Sequence, residues 1–474
     1  MFSYGKLWTL LRNRGLKKND LKKNTGITPT TLSKLSKNEN VSMDVLNRIC
    51  VYLECDIGDI VEHVYTPYRD NDTLGTFLPN KKELIHNWFG YLEGYSKTLV
   101  ETELEKLSSV KAILDPFGGS GTTPLVGVLN GIDSYYSEAN PVMAFIIECK
   151  TNISIRIAQD KNKILKLSQA IEGLRDYFNN LVEISKINLY DFGGFEKYFE
   201  FENLIYIQQY KKYIDILKSD TDTTSIFKLA LASIAVSVSK MIRRGDLRYA
   251  KGNEIVKTNQ PFKREIFRKL ELIRNDILDL KLDAVGKSTF LTPDARNISE
   301  KDLIDAVITS PPYLNGTNYI RNTKLELKLL DYVKFEADLA LMHKIGIVAG
   351  INNVSKNNGN FFPLPEVSEV YKSLLKVSYD KRIPQMVAAY FNDMSDVFSV
   401  LRNVMKDKSF FIMDIGDSQF AGIHVKTHSI LCSIAKKYGF LLYDDEVIRT
   451  RKSKSGFDLT QRIVRFKLCK MGSL

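Results

Sequence analysis

Two stretches carry groups able to do chemistry on a planar ring that bears an amine. The first is Thr309-Ser310-Pro311-Pro312-Tyr313. Ser310 offers a hydroxyl, Pro311 a carbonyl whose own amide lacks an N–H, and Tyr313 a flat face. Two acceptors beside a stacking ring suit a heterocycle carrying an amino group, although alone the pentapeptide also reads as a plain proline turn. The second stretch is Asp115-Pro116-Phe117-Gly118-Gly119-Ser120-Gly121-Thr122-Thr123. Its glycines permit a tight turn and close approach of backbone to a ligand. No Gly-Lys-Ser/Thr is present, so phosphate is not the expected ligand. Glu138 follows roughly 20 residues on, where an acidic side chain can hold ribose hydroxyls.

The elements that must position these groups are strands of a parallel sheet. The apolar runs Ile304 to Ile308 and Ala112 to Asp115 read as buried strands. Pro311 and Pro312 stop the first of these, because neither can donate to a ladder. The chemistry therefore sits at the carboxyl ends of strands, where open α/β sheets bind ligands. A helix from about Pro124 to Leu129 closes at Asn130-Gly131, and a strand follows at Ser134 to Ser137. Further strands are expected at Thr289 to Thr292, near Asp294, and at Ser409 to Ile415. Val447 to Arg451 and Arg462 to Phe466 read as an antiparallel pair at the sheet edge. Helices are expected over 322–345 and 366–406, around a glycine- and asparagine-rich segment from Gly346 to Asn360.

Taken together, Asp-Pro-Phe-Gly-Gly-Ser-Gly-Thr-Thr and Thr-Ser-Pro-Pro-Tyr resemble the two signature motifs of DNA amino-methyltransferases, over roughly residues 76–474. The resemblance implies an α/β, Rossmann-like S-adenosylmethionine-dependent fold. It implies cofactor contacts from Asp115, Pro116, Phe117, Gly118, Gly119, Ser120, Gly121, Thr122 and Glu138, with Asp294 accepting from the cofactor's adenine amine. Ser310, Pro311, Pro312 and Tyr313 would be catalytic, acting on a base flipped from double-stranded DNA. The Ser-Pro-Pro-Tyr form is similar to the N4-cytosine branch; N6-adenine enzymes more often begin this motif with Asp or Asn. The family also implies that Ile85 to Tyr91, with Ser96 beyond, packs over the methionine end of the cofactor; by spacing alone this segment is an aromatic core helix. Asn315 to Asn322 is a candidate base-side loop. Methylation at carbon 5 would need a cysteine nucleophile, usually after proline, and none of the five cysteines follows one.

Residues 1–64 read as a small all-α domain. Gly15 and Gly26 close two short helices, Thr28 caps a third beginning at Pro29, and Ser42 and Asp56 cap two more. The pattern resembles the Cro/C1 repressor class of helix-turn-helix domains, which would turn Thr28, Thr30, Thr31 and Lys34 toward a major groove; the alternative is a five-helix protein-interaction module. Residues 65–75 read as a linker, 76–150 and 286–474 as the methyltransferase core, and 151–285 as a helical insertion. Within the insertion, Arg243, Arg244 and Arg248 lie in a basic run with Tyr249, suited to a phosphate backbone or, more plainly, a solvated helix end. The chain has 474 residues, is 44% hydrophobic and carries a net charge of +11, which permits nucleic-acid binding. No CxxC pair exists, and no carboxylate partner or Glu motif accompanies His424 and His428, so no metal is expected. No apolar run reaches the roughly 18 residues of a membrane span, and no signal-peptide core is present, so a cytoplasmic location is expected. The reading is a modification enzyme of a restriction–modification system, its helix-turn-helix adding DNA affinity or binding its own promoter. The competing reading is a transcriptional regulator with a degenerate methyltransferase domain. An RNA methyltransferase is disfavoured by the repressor-like domain.

Overall fold

The computed structural model describes residues 2–36, 39–63, 71–181, 187–314, 319–342, 345–351, 354, 362–453 and 456–470. Asn315 to Asn318 of the candidate base-side loop, most of the 346–360 segment, Lys37 and residues 65–70 of the expected linker lie outside them. The chain divides into two compact units, Met1–Asp70 and Asn71–Leu474. Among the described residues no helix is long and apolar enough to cross a membrane.

Among its described residues the first unit has five helices: α1 (Gly5–Asn13), α2 (Lys18–Thr25), α3 (Pro29–Ser36), α4 (Met43–Leu53) and α5 (Ile57–Ile60). Their ends follow the expected chemistry. Gly26 stops α2 at a φ of 65°, Ser42 Oγ accepts from Val45 N at 3.4 Å, and the Asp56 carboxylate accepts from Gly58 N. Leu7, Leu11, Leu21, Leu35, Leu46, Ile49 and Ile60 form the unit's core.

The second unit is built on a seven-stranded sheet. Its strands are β1 (Ala112–Asp115), β2 (Asp133–Tyr136), β3 (Ser288–Phe290), β4 (Ile304–Thr309), β5 (Met405–Gly416), β6 (Phe440–Lys452) and β7 (Asp458–Leu468). Their spatial order is β3-β2-β1-β4-β5-β7-β6, parallel throughout except that β7 runs against both neighbours. Chain order reverses between β1 and β4, the switch point at which doubly wound sheets bind ligands. The expected edge pair is thus a hairpin whose β7 strand lies inside the sheet. Helices cover both faces: α6 (Lys97–Glu105), α7 (Thr122–Leu129) and α8 (Pro141–Glu148) precede the insertion, while α15 (Arg382–Val404) and α16 (Thr427–Lys437) pack with the β5 side.

The insertion is mostly helical, as its periodicity predicts: α9 (Lys161–Asn179), α10 (Phe201–Ile216), α11 (Thr221–Ile234) and α12 (Phe262–Asp279). α11 stops at Ile234, before the basic run. A β-hairpin, Met241–Arg244 with Asp246–Tyr249, turns at Gly245 (φ 72°). The basic run is therefore neither a helix end nor helical. The described residues of 322–345 hold short helices, among them α13 (Lys324–Leu329), and α14 (Ser368–Val377) precedes α15. Residues 71–75 belong to the second unit and not to a linker, since Leu74 packs into its core and the Gly75 carbonyl accepts from Gln461 at 3.0 Å.

One buried carboxylate joins the insertion to the segment before the cofactor loop. Asp276 on α12 accepts from the Ile85 N–H at 2.9 Å and from Trp88 Nε1 at 2.8 Å. Ile85 is a β-branched residue at φ 63°, a conformation that needs such a partner. Asp276→Leu should destabilise the protein by on the order of 2–4 kcal/mol, because two buried donors lose their acceptor. Urea denaturation measures this, and a change below about 0.5 kcal/mol, the range of an ordinary surface substitution, would show that the carboxylate is dispensable.

Candidate active site

The two signature stretches face one cleft of 380 Å³ at the carboxyl ends of β1, β2, β4 and β5. Pro116 to Ser120, Thr122, Glu138, Asp294 and Ser310 to Tyr313 all line it. The sequence-based site residues therefore converge, with informative exceptions. Asp115 is fully buried beneath the loop instead of facing the cleft. Its carboxylate accepts from Thr309 Oγ1 at 2.5 Å, Tyr95 Oη at 2.8 Å and Phe117 N at 3.0 Å. Thr123 Oγ1 also donates to the Ile308 carbonyl at 3.1 Å. Asp115 thus ties the glycine loop to the strand that presents Ser310. Burial pushes its carboxyl up to about 6, against the hydrogen bonds that favour the anion.

The glycines have separate reasons. At Gly118 a Cβ would come within 2.7 Å of Ile147, and at Gly121, with φ 80°, within 2.9 Å of the same side chain. Gly119, with φ 51°, lies under the Tyr91 ring, where a Cβ would sit at 3.1 Å. Its N–H donates to Glu138 at 2.7 Å, and Asn140 N donates to the other Glu138 oxygen at 2.8 Å. Burial raises the Glu138 carboxyl to about 7, although one side of it still meets the cleft. Lys150 is buried at the start of a π-helical turn and donates to the Ser120 carbonyl at 2.9 Å, fixing the loop from behind.

Asp294 lines the cleft, yet its carboxylate is engaged by Arg296, with Nε at 2.9 Å and Nη2 at 2.8 Å; Arg296 also reaches Asp393 at 2.6 Å. An adenine amine would have to share that carboxylate with a guanidinium. The segment before the loop divides in two. Trp88 and Phe89 are core residues of the helical cluster, as spacing alone implies. Tyr91, Glu93 and Tyr95 line the cleft, and Ser96 caps α6, accepting from Leu99 N at 3.2 Å.

Tyr313 is held at both ends. Its hydroxyl accepts from Gln461 Nε2 at 2.9 Å, and its backbone N–H donates to Tyr319 Oη at 3.2 Å. Gln461 also donates to Asp414 at 3.0 Å. Gly416 leaves room for the ring, where a Cβ would stand 3.1 Å away. Burial pushes the Asp414 carboxyl up to about 6. Asp414, Gln461 and Tyr95 were not legible as site residues, whereas Tyr319 belongs to the candidate base-side loop. The one available signal was Asp414, a carboxylate interrupting the apolar run from Phe410 to Ile415.

His424 and His428 do have a carboxylate, supplied by the fold. Asp417 at the end of β5 lies 2.9 Å from His428 Nδ1 and 3.3 Å from His424 Nε2, and accepts from Thr460 Oγ1 at 2.9 Å. Burial raises the Asp417 carboxyl, but the hydrogen bonds from His428 and Thr460 and the charges of both histidines together outweigh it, and the net shift is downward. No cluster suited to a metal ion occurs among the described residues.

The expected DNA-binding residues divide likewise. Arg243 is locked inside, donating to the Asn322 carbonyl at 2.6 Å and to the buried Glu326 at 2.6 Å, so it is a structural pin and does not reach a phosphate. Arg248 makes a bidentate pair with Glu254, at 2.8 and 2.9 Å, and Arg244 reaches the same carboxylate at 3.5 Å while largely exposed. In the first unit Thr30 and Lys34 are exposed on α3. Thr28 Oγ1 is spent on the Thr31 N–H at 3.1 Å and faces the Thr31 hydroxyl at 2.9 Å, so it caps the helix.

The sheet order, the glycine loop at its switch point and the cleft define a Rossmann-like S-adenosylmethionine-dependent methyltransferase fold carrying a helical insertion. Residues 6–65 match the model of the Cro/C1-type HTH DNA-binding domain, and the first unit is such a domain. The chain is 26% identical over 419 residues to the Type II methyltransferase M.AvaI of Nostoc sp., covering 80% of this chain and 84% of that protein. It is 25% identical over 450 residues to the Type II methyltransferase M.BsoBI of Geobacillus stearothermophilus, covering 81% and 84%. Among solved structures it is similar to the transcriptional regulator VanUg, with 52% identity over 13% of this chain and 84% of that one, at a TM-score of 0.13.

The raised Asp115 carboxyl has a measurable consequence. A group that binds its proton more tightly when folded costs stability as pH rises from its unfolded value, near 3.8, through about 6, and the loss is complete above that. The shift corresponds to about 3 kcal/mol. In Asp115→Asn that contribution vanishes, so wild type should lose stability relative to the variant between about pH 4 and 7. Denaturation of both proteins across that range tests this, and a stability difference that does not change with pH would contradict it.

Proposed function

We propose that the protein is a site-specific DNA methyltransferase that transfers a methyl group from S-adenosylmethionine to the exocyclic amine of a flipped base, with N4 of cytosine as the target. It would serve as the modification enzyme of a restriction–modification system. The observation that carries this reading is the convergence of Ser310 to Tyr313 and the glycine loop on one cleft. The similarity to the Type II methyltransferases M.AvaI and M.BsoBI supports it.

The cleft suits the cofactor. Glu138 offers an acceptor for ribose hydroxyls, the loop offers backbone without a phosphate-binding lysine, and Tyr91 closes over Gly119. When bound, the cofactor supplies an electrophilic sulfonium methyl. The chain's own groups prepare the nucleophile. An exocyclic amine is poorly nucleophilic because its lone pair is delocalised into the ring. Ser310 Oγ and the Pro311 carbonyl accept from that amine, favour a pyramidal nitrogen and return the lone pair. Tyr313 gives the base a stacking face, held in place by Gln461 and Tyr319. The proton released by the product nitrogen leaves through Ser310 Oγ or water. The rest of catalysis is positioning of two bound reactants. The base leaves its duplex stack to reach the cleft.

Sequencing host DNA with and without the gene, by a method that maps both N4-methylcytosine and N6-methyladenine, tests this. N4-methylcytosine at one short site, present only with the gene, is expected. N6-methyladenine there would move the target to adenine, and no gene-dependent modification would favour a regulator with an inert methyltransferase domain. The helix-turn-helix is separable in this account, with α3 binding the protein's own promoter through Thr30 and Lys34. A chain beginning at Asp72 should methylate the same site yet lose its gel shift on upstream DNA. Loss of methylation by this folded, cofactor-binding chain would instead make the helix-turn-helix part of target recognition.

A further inference from the structure

The β6–β7 hairpin reaches past the sheet. The two strands pair from Phe440 opposite Leu468 to Lys452 opposite Asp458. β7, however, pairs with β5 only as far as Gln461 opposite Gly416. The residues beyond form a two-stranded ribbon projecting past the carboxyl end of β5, on the cleft side. A bulge between Val447 and Arg449 re-aims the outer strand at this point. Ile448 turns into the core beside Ile412 and Ile463. Arg449 lands opposite Gln461, the residue that holds Tyr313, and both Arg449 and Arg451 line the cleft. Two positions apart on one strand, they share a face.

Their electrostatic state sets them apart. Of the four arginines on these strands, Arg462 pairs with Asp445 at 2.6 Å and Arg465 with Glu103, Asp444 and Glu446. Even Lys452 pairs with Asp458 at 2.7 Å. Arg449 and Arg451 are exposed and have no carboxylate partner among the described residues. Two unpaired guanidinium groups on a stiff ribbon beside a cleft lack the counter-charge that the rest of the hairpin supplies. Phe457, on the same hairpin, is 46% exposed, its ring 6.2 Å from that of His424. Guanidinium forks beside an exposed aromatic suit a polyanion that also carries flat bases.

We propose that the β6–β7 ribbon is a DNA-gripping arm, in which Arg449 and Arg451 bind backbone phosphates flanking the flipped base. The inference rests on the DNA-methyltransferase reading above and adds a binding surface separate from the helix-turn-helix and from the insertion. It places the grip next to the strand that holds Tyr313, so phosphate binding and base capture share one rigid element. Arg243, inside the insertion, is excluded from this task by its buried pairing.

The test uses the full-length protein, labelled S-adenosylmethionine and sonicated unmethylated genomic DNA of the expression host. For Arg449→Gln/Arg451→Gln, kcat/KM for DNA should fall on the order of tenfold at low salt. The slope of log(kcat/KM) against log[salt] should become less negative by about 2, roughly 0.9 for each phosphate that the variant no longer neutralises. Calorimetric affinity for S-adenosylmethionine and kcat at saturating DNA should stay within about twofold of wild type. Arg449→Lys/Arg451→Lys, which keeps the charge, should restore the salt slope. An unchanged slope in the folded, cofactor-binding glutamine variant, or a slope that the lysine variant fails to restore, overturns the proposal. A wild-type protein that binds cofactor and transfers no label to DNA overturns the methyltransferase reading itself, and the arm falls with it.

Discussion

The site depends on a single buried carboxylate. Asp115 ends β1, and Thr309 ends β4, the neighbouring strand across the switch point. The 2.5 Å hydrogen bond between them links residues 194 apart in the chain. On one side of it the loop turns toward the cofactor; on the other Ser310 begins the motif that meets the base. Tyr95 and Phe117 N complete the carboxylate's partners, so the covering segment and the loop are set by the same group. A carboxyl held near neutrality at full burial is costly to ionise. Its retention here makes sense as a fixed spacing between two binding halves.

The second half of the site has its own anchor. Gln461 spans Tyr313, Asp414 and the Gly75 carbonyl, binding the motif to β5, β7 and the start of the second unit. The antiparallel β7 strand is what brings Gln461 there, since a parallel strand order alone would leave the Tyr313 hydroxyl at an open edge. The same strand makes the ribbon bearing Arg449 and Arg451 possible. Fold and recognition surface are thus one construction, in which the hairpin that completes the sheet also overhangs the cleft.

Much of this was legible in the residues. Helix ends in the first unit follow from Gly26, Ser42 and Asp56, because capping is local chemistry. The strands carrying the motifs follow from apolar runs ended by glycine or proline. What was hidden depends on partners far away in sequence. Arg243 reads as a free cation until Asn322 and Glu326 surround it. His424 and His428 read as lone histidines until β5 delivers Asp417 between them. Asp294 reads as a free carboxylate until Arg296 folds back on it. The hairpin at 241–249 escaped because four-residue strands rich in arginine give no clear alternation, and Gly245 supplies the turn that reveals it. Charge in a sequence marks candidates, and only the fold shows which ones are already paired.

The central claim is that both halves of one cleft act on a base amine. It is tested most directly by incubating the purified protein with methyl-labelled S-adenosylmethionine and unmethylated duplex DNA, digesting to nucleosides and identifying the labelled one by mass spectrometry. The account predicts label in N4-methylcytosine, lost in a folded Ser310→Ala protein that still binds cofactor. Label in 5-methylcytosine, or undiminished transfer by Ser310→Ala, would contradict it.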